Sequence, residues 1–121
     1  MTSAYVTVEH HDGEVVVIAA HGDIDLDNTR TLGQEILKAL PNTTLGAVLD
    51  LSDVAYLDSA AIRLLFELAS TTKAHRQAFR IVVPGRSLTR AVLGHVALDS
   101  VVPLDPDTAS ALARMRESSR A

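Results

Sequence analysis

The stretch AVLDLSDVAYLDSAAIRLLFELA, residues 47–69, decides the fold. It opens on an apolar run, Ala47 to Leu51, with the length and continuity of a short strand buried on both faces. It closes on apolar residues of a different period. Ala61, Leu64, Leu65, Leu68 and Ala69 recur at helical spacing, while Arg63, Glu67, Ser70 and Lys73 or Ala74 fall on the opposite side. Between the two runs stand Asp58 and Ser59. A strand that hands over to an amphipathic helix through an acid and a hydroxyl is the first half of a β-α-β unit. Ser59 suits the N-cap, where its hydroxyl accepts from a backbone N–H two or three residues on, worth about 1 kcal/mol. Asp58 beside the positive helix end adds about 0.3–1 kcal/mol. Local structure alone therefore accounts for the pair.

On the N-terminal side, Val6 and Val8 alternate with Tyr5, Thr7 and Glu9, which predicts a strand with one wet face. Asp12-Gly13 is a hairpin turn signal, and Val15 to Ala20 is an unbroken apolar run suited to a central strand. GDIDLDN (22–28) is loop-like, with Asp27 or Asn28 placed to cap a helix. Leu32, Ile36, Ala39 and Leu40 share one face of that helix, which Pro41-Asn42 stops. Gly33 inside it costs about 1 kcal/mol relative to alanine, so close packing is expected there.

On the C-terminal side, Phe79 to Val83 reads as a strand ended by Pro84-Gly85. Ser87 caps a third helix holding Leu88, Ala91 and Val92, and Ser100 to Val102 forms a brief edge strand. Asp105 caps a last helix with Pro106 at its first position, Ala109, Leu112 and Ala113 face inward, and the tail RESSRA frays. The order is β-β-α-β-α-β-α-β-α. It predicts an α/β fold with a mixed sheet, mostly parallel with one antiparallel edge strand, and helices packed on it.

Residues 1–121 are read as a single domain, with no internal repeat or linker. Apolar residues make up 47% and charged residues 21%, a folded composition. The net charge of -4, with 11 basic and 15 acidic residues and no basic run, disfavours nucleic acid as a partner. No apolar run approaches the length of about 20 residues that spans a bilayer, so no membrane partner is expected. MTSAYVTVEHHDGE lacks the basic start and apolar stretch of a signal peptide, and there are no cysteines. A cytoplasmic protein is expected.

Catalytic chemistry finds little footing. His10, His11, His21, His75 and His95 show no metal-ligand spacing on one helical face, so no metal site is expected. Asp25 and Asp53 read either as loop and cap residues or as a shared acidic site near the carboxyl ends of strands. Asp50 sits at a strand end like the phosphorylated acid of a receiver domain, but Lys38 and Lys73 both lie in helices and supply no partner lysine. A strand-end role bonded to backbone groups is expected instead. VPGRSL (83–88) reads as a turn and cap, with anion binding by Arg86 as the alternative. No nucleophile elbow, Gly-rich phosphate loop or Ser-His-Asp spacing is present, so no catalytic residue and no cofactor is expected.

The run LDLSDVAYLDSAAIRLLFELA (49–69) resembles the signature of STAS domains, most closely that of the bacterial anti-sigma-factor antagonists. GDID (22–25) resembles the same family's segment after its central strand, and VVPGRSLTRAVLGHVALDSVVPL (82–104) its late strand-helix-strand in looser form. The resemblance spans nearly the whole chain and implies a STAS-like sheet. It implies that Ser59 is the serine phosphorylated by a partner kinase, with Asp58 the acid before it. Asp23 corresponds to the acid of a nearby loop that takes part in partner binding and phosphate transfer. The expected partners are an anti-sigma factor with serine-kinase activity and a phosphatase acting on phosphoserine. Arg63 and Glu67 either extend the docking face along the second helix or form a plain solvated face. Two departures stand out. Asp-Ser-Ala-Ala replaces the usual Asp-Ser-Ser-Gly, and His95 to Leu98 (HVAL) lacks the glycine usual before the leucine. The alternative function is a non-switching STAS module held in a larger signalling or transport complex, with Ser59 as a mere cap.

Overall fold

The structure is a computed structural model that describes residues 4–11, 14–40 and 45–119. The elements follow in the expected order: β1 (Ala4–His11), β2 (Val15–Gly22), α1 (Thr29–Lys38), β3 (Gly46–Asp53), α2 (Ser59–Ala74), β4 (Ala78–Val82), α3 (Leu88–His95), a 3-10 turn (Leu98–Ser100), β5 (Leu104–Asp105) and α4 (Thr108–Ser119). The expected turn at Asp12-Gly13 and stop at Pro41-Asn42 lie outside the described residues. The strands lie side by side in sequence order, β1-β2-β3-β4-β5. β1 runs antiparallel to β2 in hairpin register, from Ala4 opposite Gly22 to His11 opposite Val15. β2, β3, β4 and β5 are mutually parallel.

That order dictates the layers. Each parallel step needs a right-handed crossover, and steps taken in one direction place their helices on one face. Val16, Ile18, Leu49 and Ile81 accordingly pack against Leu32 and Ile36 of α1, Leu65 and Leu68 of α2 and Leu93 of α3. The residues between them, Val17, Val48 and Val82, point the other way and meet Ala111 and Met115 of α4. The interior strands are apolar on both sides for this reason, as the unbroken run in β2 predicts. β1 is the wet edge: Val6 is half-buried against the core, whereas Val8 is exposed.

The last third departs from the sequence reading. Ser100 to Val102 is no strand; the chain makes the 3-10 turn there and pairs with β4 two residues later, through β5. Asp105 caps nothing. It is fully buried in β5, where the Arg80 guanidinium grips it through Nε at 2.6 Å and Nη2 at 3.1 Å. Asp107 takes over the cap by accepting the Ser110 N–H at 2.7 Å, and bonds from the Ser110 backbone and hydroxyl hold its carboxyl below the ordinary 3.8. α4 therefore starts at Thr108, and its inward residues are Ala111 and Met115, with Leu112 half-buried and Ala109 and Ala113 exposed. Its backbone stays helical through Ser119. In α3, Ser87 caps as expected by accepting from Arg90, but the buried positions are Thr89 and Leu93, and Leu88 is exposed.

Candidate functional site

The carboxyl ends of β2 and β3 build the site. Gly22 leaves β2 at φ 94°, a left-handed conformation that glycine adopts without cost. The turn brings Ile24 alongside Leu57 as an isolated parallel bridge. The Ile24 N–H donates to the Tyr56 carbonyl at 3.0 Å, and the Asp58 N–H donates to the Ile24 carbonyl at 3.2 Å. Ile24 and Leu57 bury their side chains beneath this bridge. The GDID and YLDS segments are therefore laced together, and half-buried Asp23 and Asp58 lie one residue from it on either strand.

Asp58, not Ser59, is the N-cap of α2. Its backbone is extended (φ -93°, ψ -176°), and its carboxylate accepts the Ala61 N–H at 3.0 Å. Ser59 is already helical. Its side chain is exposed, and among the described residues its hydroxyl makes no hydrogen bond. The acid, with two acceptor oxygens and a negative charge at the helix start, outcompetes the hydroxyl for the cap. A similar substitution of roles occurs at α1. Asn28 holds the N-cap position without capping, because its amide instead donates to the Asp23 carbonyl at 2.9 Å and accepts the Asp25 N–H at 3.1 Å. Of the two alanines after Ser59, Ala61 is buried and Ala60 is half-buried on the surface.

α1 and α2 follow successive parallel crossovers, so they run in the same direction. They approach at Gly33, where an added methyl would lie 2.9 Å from Leu64 Cδ1. Close packing thus accounts for the helical glycine. Beside this contact runs a groove of about 480 Å3, with Leu26, Arg30 and Gly33 on one wall and Ser59, Arg63 and Leu64 on the other. Leu37 and Glu67 line it further along. Leu26 is 76% exposed and Leu37 47% exposed, so this face offers apolar surface beside charge.

The expected residues Asp23, Asp58, Ser59, Arg63 and Glu67 gather at this one end and along α2. Asp25 and Asp53 do not form a shared site. The Asp25 carboxylate accepts the Asp27 N–H at 3.0 Å, whereas Asp53 bonds His21 Nδ1 at 2.7 Å. The His21 ring also lies 3.1 Å from the Thr7 hydroxyl and stacks on Tyr5 with centroids 4.7 Å apart. Asp50 has the strand-end role expected of it, accepting from the Ser52 N–H at 2.9 Å and the Ser52 hydroxyl at 2.5 Å. Among the described residues no three His, Asp or Glu side chains cluster as metal ligands, and no helix is long and apolar enough to cross a membrane. Sequence reasoning missed Arg30 and Leu26. Arg30 stands one turn before Gly33, and that spacing is the signal that could have found it.

Comparison with known proteins gives concordant results. A family model described as "Mlab, STAS domain" matches residues 7–103. The anti-sigma-F factor antagonist RsfA of Mycobacterium tuberculosis is 30% identical over 108 residues, 88% of this chain and 83% of that protein. RsfB of the same organism, also an anti-sigma-F factor antagonist, is 31% identical over 115 residues, 94% of this chain and 91% of that protein. The crystal structure of an anti-sigma factor antagonist from Mycobacterium paratuberculosis superposes with a TM-score of 0.83 at 29% identity, covering 94% of this chain and 95% of that one.

Proposed function

The chain belongs to the STAS domain family, and from that membership we propose that it is an anti-sigma-factor antagonist switched at Ser59. Unmodified, it docks through Asp23, Asp58, Ser59, Arg63 and Glu67 onto an anti-sigma factor that is also a serine kinase, and that docking frees the sigma factor. The kinase then moves the terminal phosphoryl group of ATP onto the Ser59 hydroxyl. The oxygen–phosphorus bond forms as the bond to ADP breaks, and the hydroxyl proton is lost. A phosphatase hydrolyses the ester and restores the serine. In this reading the chain is a binding protein and a substrate, and it performs no catalysis itself.

The observation that carries the reading is the role exchange at the start of α2. Asp58 has taken the cap, so the Ser59 hydroxyl is exposed and holds no structural bond that modification would break. Phosphate brings about -1.5 to -2 charges. Two charges against one partner anion at about 5 Å in water repel by about 1–2 kcal/mol, before any steric clash. Each 1.4 kcal/mol is about tenfold in affinity, so loss of docking needs no change of fold.

The test is calorimetric titration of the anti-sigma factor with wild type, Ser59→Ala and Ser59→Glu, alongside incubation with ATP and peptide mass mapping. Ser59→Ala is expected to bind like the unmodified protein, Ser59→Glu to bind at least about tenfold more weakly, and wild type to gain one phosphate at Ser59. Undiminished binding by Ser59→Glu together with no phosphate gained would instead mark a fixed STAS interaction module in a larger complex.

A further inference from the structure

We propose that the phosphate on Ser59 is clamped by this chain's own Arg63 and Arg30, closing the groove between α1 and α2. The inference rests on reading Ser59 as the modified residue, and adds how the modified state is held. Ser59 and Arg63 are four residues apart in α2, so their Cβ atoms lie about 5–6 Å apart on one helical face. Arg30 reaches the same place from α1. The two helices run in parallel and touch at Gly33 and Leu64. One turn back from Gly33 is Arg30, and one turn back from Leu64 is Ala60, next to Ser59 at the start of α2. All three of Arg30, Ser59 and Arg63 line the one groove.

Both guanidinium groups are uncommitted among the described residues. Among the described residues neither Arg30 nor Arg63 makes an ion pair or hydrogen bond, although Glu67 stands four residues beyond Arg63. The planar fork of arginine matches phosphate oxygens two at a time, which a neutral serine hydroxyl cannot satisfy. The acids nearby do not fill the position. Asp58 is turned onto the Ala61 N–H, Asp25 onto the Asp27 N–H, and Asp23 lies across the Ile24–Leu57 bridge. Glu67 is two turns from Ser59, about 12 Å along the axis. A dianionic ester at Ser59 therefore meets two cations and occupies the mouth of the groove. Modification would then act on a partner twice, by adding charge and by withdrawing Arg63 from the docking face.

The experiment uses full-length protein with phosphoserine installed at position 59 during synthesis, so it needs no kinase. The second ionisation of the phosphate is followed by 31P NMR. In wild type it is expected at least half a unit below the ordinary value of about 6. Arg63→Gln and Arg30→Gln should each return part of that shift, and the double variant nearly all of it. Lys38→Gln, which removes an equal charge from the far end of α1, should leave it in place. The same titration point in wild type and double variant overturns the clamp, as does a Lys38→Gln effect as large as that of Arg30→Gln. A kinase that leaves Ser59 bare would instead end the switching reading, and this titration is blind to that result.

Discussion

Ala97 holds the left-handed conformation, with φ 57° and ψ 35°, immediately before the buried Leu98. That conformation brings an L side chain's Cβ against the backbone and costs about 1–2 kcal/mol. The STAS resemblance implies a glycine before this leucine, so the departure in HVAL falls on the one backbone conformation that glycine suits best. Ala97→Gly is expected to stabilise the protein by about 0.5–1 kcal/mol, since glycine's larger unfolded-state entropy cancels part of the relief. A urea midpoint that moves upward at constant slope would show it. Single residues were the hardest scale to read from sequence. Asp58 and Ser59 are both good caps, and only the extended backbone at Asp58 decides between them. Gly33 was legible because a helical glycine needs a reason. Arg30 was not, because an exposed arginine on an amphipathic helix needs none.

The two long periodic helices survived translation into structure, whereas the inward face of α4 and the last strand did not. α1 and α2 bury the stripes their spacing predicts. β5 is two residues long and has no period to detect. Asp105-Pro106 looks locally like a cap followed by a first helical residue. What pulls Asp105 into the sheet is Arg80, 25 residues earlier, together with Arg114 at 3.6 Å from the α4 side. Asp105→Ala leaves a guanidinium with only 15% of its side chain exposed and no close counter-charge, and is expected to cost about 3–5 kcal/mol. Replacing the pair together, Arg80→Met with Asp105→Leu, should recover most of that loss, because the desolvation of both charges disappears with them. Urea denaturation of the single and double variants measures both values.

At the scale of the whole molecule the sheet separates two surfaces. α1, α2 and α3 share one face with the Ser59 end, while α4 covers Val17, Val48 and Val82 on the other. A charge added to the exposed Ser59 has no buried group to displace. The 15N–1H spectrum of protein carrying phosphoserine at 59 should therefore shift at the start of α2, along α1 and in the loop from Gly22 to Asn28, with Ala111 and Met115 in place. Changes spread across α4 would mean that the scaffold itself responds. The order of the strands carries one more consequence, in time rather than space. A ribosome delivers Arg80 some seconds before Asp105, at about 5–20 residues per second. Until then the fourth strand emerges with an unanswered positive charge on its α4 face beside the open edge, which discourages stray strands from pairing there. Delivery of Asp105 removes that guard only as it supplies the rightful neighbour.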